Sequence, residues 1–328
     1  MSTACLLLVL ATTMRRLSTS ELWTVVLAGG DGTRLKSLTE RIVGDDRPKQ
    51  FCAIVGRETL LERTRRRMEL LVRPDRHIVV VTRAHAPYWA ALERELAPGR
   101  LVVQPSNQGT LAGILYPIFW AEALGGNPVV VVTPSDHEVA EDRGFMAHVA
   151  EAATMVDLLP DLVVVLGIEA ETAEPEYGWI EPVRLTLPEG GPSIFPISRF
   201  VEKPTPAVAR RLFERGCLWN SFVMVGRASA FIDLVREAVP DVLAQFAPLE
   251  MAIGAEDEMA VAERVYARLT PMSFSDRVLA AVPARLLALP VKGVGWSDWG
   301  SPPRVLASLR RSGRRLPWMA GIELASTA

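Results

Sequence analysis

A chain of 328 residues with 49% hydrophobic and 23% charged side chains is long enough for a substantial core and has a globular make-up. Its formal charge of -2 provides no global basic field of the kind nucleic-acid binding needs, so the implied partners are small molecules, with a local patch left to serve phosphorylated ones. Cys5, Cys52 and Cys217 are too few and too scattered for a disulfide framework, and no CxxC pair or His/Cys cluster marks a zinc site, which points to reduced thiols and a cytoplasmic protein.

The apolar opening from Cys5 to Leu10 lacks a preceding positive charge, is followed by Arg15 and Arg16, and is too short to span a bilayer. Residues 1–20 read as an extension that is disordered or not native, with Met14 as an alternative start; no other stretch approaches a membrane span. Runs rich in β-branched residues follow at Trp23 to Ala28, His77 to Thr82, Leu101 to Val103 and Val129 to Thr133, alternating with helical periodicity at Glu58 to Leu71 and Leu111 to Leu124. Strands apolar on both faces and separated by helices predict a doubly wound, mixed but mainly parallel α/β sheet, Rossmann-like, with ligands at the carboxyl ends of its strands. After Leu162 to Gly167 a Pro/Gly-rich passage from Pro175 to Pro196 changes the rhythm and marks an inserted substrate-facing subdomain. Strand-like Ile197 to Val201, helix-like Pro206 to Arg215, strand-like Leu218 to Val225 and helix-like Ala228 to Val239 come next. The acidic stretch from Glu250 to Glu263 reads as a solvated helix without evident chemistry. One domain over 21–312 and a tail over 313–328 result.

The first strand runs into Ala28-Gly29-Gly30-Asp31-Gly32-Thr33-Arg34-Leu35, where three glycines let backbone N–H groups approach a polyphosphate. No Gly-Lys-Ser/Thr follows, so this is not a Walker A loop, and Leu35 stands where a dinucleotide fingerprint has its last glycine. A plain tight turn is the default for two glycines alone; Arg34 and the later Arg47-Pro48-Lys49-Gln50 weigh against it. Of 36 basic residues only Lys36, Lys49, Lys203 and Lys292 are lysine, and a lysine kept against that bias suits a place needing a compact charge. Asp136 follows four valines and emerges at a strand end, although an isolated Pro-Ser-Asp is more often a helix cap or turn. Asp298, between Trp296 and Trp299, has the same bland alternative.

Leu27 to Leu35 followed by Arg47-Pro48-Lys49-Gln50-Phe51 resembles the signature of the sugar-1-phosphate nucleotidylyltransferases, particularly the guanylyltransferases acting on mannose 1-phosphate. Further segments agree in order: Gln104 to Thr110, Pro134-Ser135-Asp136-His137, Glu176 to Pro182, Val201-Glu202-Lys203-Pro204, Leu218 to Phe222 and Gly295 to Gly300. The resemblance implies a nucleotide site of Leu27, Ala28, Gly29, Gly30, Gly32, Thr33, Gln104, Gly109 and Thr110, and a sugar pocket of Gly178, Glu181 and Asn220. It implies Arg34 and Lys49 on the leaving pyrophosphate, Lys203 on the sugar phosphate, and Mg²⁺ on Asp136 and Asp298, a cation that seldom has an all-protein cage. His137 is expected to be structural, and most of the clustered tryptophans to be core. The reaction implied joins a nucleoside monophosphate, GMP from GTP first, to a sugar 1-phosphate by in-line attack at the α-phosphorus; a homodimer is compatible with it. No room is expected after the last helix for the β-helix or cupin domain of many relatives.

Departures from the family are Phe222-Val223-Met224 after Asn-Ser, and Lys36-Ser37-Leu38 where proline is common, which leaves the sugar or cyclitol open. A glycosyltransferase would carry an Asp-x-Asp pair, which the sequence lacks, and a non-catalytic binding homologue is disfavoured by retention of Arg34, Lys49, Asp136, Lys203 and Asp298.

Overall fold

The computed structural model describes residues 22–183 and 194–320. The amino-terminal extension with Cys5 and Met14, the middle of the Pro/Gly-rich passage and the end of the tail lie outside the described residues.

The chain opens with β1 (Leu22–Leu27), α1 (Lys36–Val43), α2 (Leu60–Met68), β2 (His77–Thr82), α3 (Ala86–Glu95), β3 (Leu101–Gln104), α4 (Gly109–Gly125) and β4 (Val129–Pro134). It continues through α5 (Asp142–Leu158), β5 (Val163–Glu169), β6 (Trp179–Pro182), β7 (Phe195–Val201), α6 (Pro206–Glu214) and β8 (Leu218–Arg227). Helices α7 (Ala228–Ala238), α8 (Pro240–Met251) and α9 (Glu258–Tyr266), strand β9 (Leu286–Val291) and helix α10 (Pro302–Arg311) complete it. Local chemistry sets several ends. Helix α2 starts two residues later than its periodicity predicts because Thr59 and Glu62 form a reciprocal capping box, each side chain accepting from the other's backbone N–H.

Among the described residues nine strands form one sheet in the order β3-β2-β1-β4-β8-β5-β9-β7-β6. The pairs β1–β2, β2–β3, β1–β4 and β5–β9 are parallel; β8 runs antiparallel between β4 and β5, and β7 antiparallel beside β9 and β6. The mixed α/β sheet agrees with the expected fold class but is not mainly parallel: with the β8–β6 contact counted, four pairings are parallel and five antiparallel among the described residues. Side chains on successive positions enter opposite cores: Val130 and Val132 pack with α4 and α7 on one face, Val129 and Val131 with α5 on the other. That is why these runs are apolar without alternation. The chain winds outward from β1 to β3, then returns across β1 to β4, so the sheet has its switch point where the ends of β1 and β4 lie side by side. The substrate-facing segment is not a separate sheet: β6 and β7 extend the edge of this one.

The acidic stretch requires a correction. It is not one solvated helix: α8 ends at Met251, the chain turns, and α9 starts at Glu258. Glu258 accepts from the Tyr116 hydroxyl at 2.6 Å, the Trp120 indole at 2.7 Å and the Gly254 N–H at 2.8 Å, while Val261, Ala262, Val265 and Tyr266 are core. The charge pattern hid an apolar stripe at i, i+1, i+4 and i+5.

Candidate active site

A cavity of about 550 Å³ opens at the switch point. Leu27 at the end of β1, Pro134, Ser135, Asp136 and His137 at the end of β4, and Gly30 and Arg34 of the glycine loop line one side. Gly109, Thr110 and the 271–275 segment close another; Glu176, Tyr177, Gly178, Glu202, Lys203, Asn220 and Phe222 form the far wall, with Trp296 and Asp298 between. Motifs as far apart in the chain as Leu27 and Asp298 therefore share one concavity.

The glycine loop is held from behind. Buried Gln50 donates through Nε2 to the carbonyls of Ala28 at 3.0 Å and Gly30 at 2.7 Å, and the Thr82 hydroxyl donates to Gly29 O at 2.9 Å. Ser135 donates to Leu27 O through both its N–H and its hydroxyl, which ties the ends of β1 and β4 together. Gly32 takes a left-handed φ of 60°, and a Cβ there would lie 3.0 Å from Lys49 N; only a glycine lets Pro48 and Lys49 pass so close. The loop before α4 is joined to this frame by Asn107, whose side-chain amide donates to Asp31 Oδ2 at 2.8 Å. The segment 271–275 is sealed onto it by Met272 N–H to Gln108 O, Leu111 N–H to Met272 O and Phe274 N–H to the Thr110 hydroxyl.

Lys49 does not line the cavity. Its side chain is only 8% exposed; Nζ donates to the carbonyls of Asp298 at 2.6 Å and Trp299 at 3.1 Å and pairs with Asp136 Oδ2 at 3.2 Å. It thus joins the Asp136 carboxylate to the main chain at Asp298 and Trp299, a position its spacing from the glycine loop does not reveal. Burial opposes the charge on Asp136, yet Lys49 and His137 beside it hold its carboxyl below the usual range. Burial likewise opposes the charge on Asp298, while His137 and Arg304 hold its carboxyl low. His137 is half-buried and edge-on against Trp296, its Nε2 3.5 Å from Asp136 Oδ1.

The sugar-side expectations divide. Gly178 and Asn220 line the cavity; Asn220 accepts from Phe222 N–H through Oδ1 and donates its own N–H to Gly178 O. Glu181 does not: it lies on β6 opposite Arg199 of β7, and its carboxylate pairs with Arg199 at 3.2 Å and with Arg215. Besides Glu176, the carboxylate in the wall is Glu202, which burial pushes up from its ordinary pKa against the opposing pull of Lys203. Glu202 stands inside the Val201-to-Pro204 motif, beside the lysine that drew attention. Lys203 is 62% exposed with Nζ 4.0 Å from Glu202, and its φ of 41° is left-handed. Phe222 also has a positive φ, as does Trp299 next to the lining Asp298, so among the described residues three of the four non-glycine residues of this kind lie at or beside the cavity, where backbone strain often marks function.

Of the remaining nucleotide-side residues, Arg34 lines the opening, is 60% exposed and lies 3.4 Å from Glu176. Ala28, Gly29, Gly32 and Thr33 form the loop behind the lining residues. Gln104 is buried below it, its Oε1 accepting from the Tyr266 hydroxyl at 3.2 Å, a contact across 162 positions with no local sequence signal. Among the described residues no three His, Cys, Asp or Glu side chains gather into a metal cage, and no helix is long and apolar enough to cross a membrane. Buried Cys52 has its thiol pushed up to about 11 by burial, which leaves it unreactive.

A glycine loop and basic side chains facing a carboxylate-lined cavity at a parallel-sheet switch point define a class of α/β enzyme that handles phosphorylated ligands. The family model described as nucleotidyl transferase matches residues 23–308, and the chain belongs to that family. It is 30% identical over 224 residues to the xanthan biosynthesis protein XanB of Xanthomonas campestris pv. campestris (strain B100), covering 67% of this chain and 45% of that one. It is 26% identical over 287 residues to the mannose-1-phosphate guanylyltransferase of Escherichia coli (strain K12), covering 86% and 58%. The chain thus spans about half the length of the curated relatives it matches. A crystal structure titled mannose-1-phosphate geranyltransferase, from Thermus thermophilus, superposes with a TM-score of 0.70 at 27% identity over 85% of this chain and 76% of that one. A UDP-glucose pyrophosphorylase complexed with UDP-glucose shares the fold at a TM-score of 0.53 and 19% identity, over 88% and 97%.

Proposed function

We propose that the chain transfers a nucleoside monophosphate from a nucleoside triphosphate to a sugar 1-phosphate and releases pyrophosphate, with GTP and mannose 1-phosphate as the first pair to test. One observation carries this reading: a single cavity holds the glycine-loop end, Arg34, the paired carboxylates Asp136 and Asp298, and a wall of Glu202, Lys203 and Asn220. The first group suits a polyphosphate and the last a phosphorylated polyol. Because the loop's carbonyls are tied back by Gln50 and Thr82, its N–H edges are what the loop has to offer phosphate oxygens.

The donor set fits a divalent cation: two hard carboxylates, Asp136 paired with Lys49 and Asp298 with Arg304, with phosphate oxygens and water to complete the shell, as Mg²⁺ prefers. Such a cation neutralises charge on the phosphates when bound. In this reading Lys203 holds the incoming phosphate and Arg34 the departing one, while Glu202 and the Asn220 amide meet sugar hydroxyls, all four lining the one cavity. The nucleophile is already anionic, so positioning and charge neutralisation suffice and no base is required. Guanine is favoured by the likeness of the Gln104-to-Thr110 loop and by the relatives' names. A matrix of nucleoside triphosphates against sugar 1-phosphates, followed by pyrophosphate release, tests the proposal; binding of both without pyrophosphate in any combination would defeat it.

A further inference from the structure

Arg304 was not among the residues singled out by any motif, yet it holds the most committed carboxylate in the cavity. Its Nη1 lies 2.7 Å from both Oδ1 and Oδ2 of Asp298, and its Nη2 donates to Glu176 Oε2 at 2.9 Å. The guanidinium rests 4.7 Å over the Tyr177 ring. Gly300 makes room for this pair: a Cβ there would stand 2.5 Å from Asp298 Oδ2 and 3.1 Å from Arg304 Nη1. Arg304 is also in the first turn of α10, where a cation opposes the helix dipole. Helix stability therefore does not account for an arginine at this position, whereas Asp298 does.

The two oxygens of Asp298 are held differently. Oδ1 accepts from the Tyr177 hydroxyl at 3.1 Å, from Gly300 N–H at 2.9 Å and from Arg304. Among the described contacts Oδ2 has Arg304 alone. Release of Arg304 would leave Asp298 anchored through Oδ1 with Oδ2 open to the cavity. Glu176, already on Nη2 at 2.9 Å, is the nearer of two carboxylates to which Arg304 stays attached, Glu174 lying 3.9 Å from the same nitrogen, and Glu176 is shared with Arg34 at 3.4 Å. A guanidinium relieved of Asp298 commits its charge to Glu176 and loosens the hold on Arg34.

We propose that Arg304 is a positioning residue, a built-in counter-cation that keeps Asp298 in place while no divalent cation is bound and gives up Oδ2 when one arrives, freeing Arg34 for the polyphosphate. This rests on the cation reading of Asp136 and Asp298 given above. It makes Arg304 a competitor of the cation, and reciprocity then requires nucleotide and cation to favour each other's binding.

The test is binding of Mn²⁺ alone to the full, nucleotide-free chain, read by electron paramagnetic resonance. Arg304→Met keeps the stem over Tyr177 and should tighten Mn²⁺ binding about tenfold, within the usual range for coupled sites. Glu176→Gln, at an exposed position, removes the carboxylate that draws Arg304 away and should weaken Mn²⁺ binding by about threefold. A strut, by contrast, would leave Mn²⁺ binding of Arg304→Met unchanged or weaker, because Asp298 would lose its hold. Unchanged or weaker binding in Arg304→Met, with Asp298→Asn still abolishing it, overturns the role of Arg304 and spares the cation site. Equal Mn²⁺ binding by Asp298→Asn and the parent chain removes the cation site and this inference with it. Should Arg304→Met lose its native circular dichroism, Arg304→Lys, a cation that cannot reach both carboxylates, should bind Mn²⁺ more tightly than the parent; no gain there also counts against the proposal.

Discussion

The two walls of the cavity are built in opposite ways. On the nucleotide side the loop carbonyls of Leu27, Ala28, Gly29 and Gly30 are all hydrogen-bonded, and the side chains that hold them, Gln50, Thr82 and Ser135, are buried. On the sugar side Lys203 projects from a left-handed backbone into solvent, and its described ionic neighbour is Glu202. Under the function proposed above, the wall fixed from behind meets the part common to all nucleoside triphosphates, their phosphate chain. A wall of long, loosely held side chains is where relatives of one fold can differ in the sugar they accept.

The carboxylates between the walls should give the largest effect. Asp136→Asn and Asp298→Asn are each expected to lower kcat by a factor of about 10² to 10³ with sugar-phosphate binding less affected, since each removes charge stabilisation at the reacting phosphate. Near-parent turnover of both at saturating Mg²⁺ would sink the assignment.

Breaking the rigid wall should show in stability first. Gln50→Ala leaves the carbonyls of Ala28 and Gly30 without their buried donor, at a cost of about 1–3 kcal/mol. A lower denaturant midpoint together with a raised KM for nucleotide is the expected pair of results. An unaltered midpoint would show that the loop holds its shape unaided. Lys49→Ala belongs with it, because the ammonium is buried among two carbonyls and a carboxylate rather than exposed to ligand.

The loose wall should respond in the converse manner. Lys203→Ala is expected to raise KM for sugar phosphate several-fold while leaving the unfolding midpoint within about 0.5 kcal/mol of the parent, as for most exposed positions. A change confined to nucleotide KM would show that Lys203 serves the other substrate. Lys203→Gly, which removes the cost of a left-handed φ for a side chain, should be no less stable than Lys203→Ala.

The smallest effects separate two glutamates. Glu202→Gln should raise KM for sugar phosphate more than Glu181→Gln does, because Glu181 is paired to Arg199 and Arg215 away from the cavity. The pH dependence sharpens this. Burial raises the Glu202 carboxyl, so its protonated form favours folding: that stability is present below the ordinary glutamate range and lost as pH rises through the raised value. At neutral pH Glu202→Gln should therefore unfold at higher denaturant than the parent, an advantage that shrinks in acid; a pH-independent difference would argue against a buried ionised Glu202.

The sequence by itself determined strands β1 to β4, β7 and β8, helices α2, α4, α6 and α7, and the placing of most motifs at strand ends, because burial on both faces demands unbroken apolar runs and parallel strands gather those ends. It also determined the family, through motifs whose order and chemistry survive without any coordinates. What it did not determine is where side chains of the right type point. Glu181 and Glu202 are both carboxylates in motifs, and only the register of β6 against β7 sets one opposite Arg199 and leaves the other in the cavity wall. Lys49 is a scarce lysine beside a glycine loop, yet the return of residues 298–299 over it decides that its ammonium is held by main-chain carbonyls, with the Asp136 carboxylate beside it. The hydroxyl of Tyr266 on Gln104 and the guanidinium of Arg304 on Asp298 and Glu176 join segments brought together by the sheet and its covering helices. Hydrophobic periodicity is a local signal carried by neighbouring residues, whereas pairing across the fold depends on directions that exist only once the sheet has twisted and closed its layers.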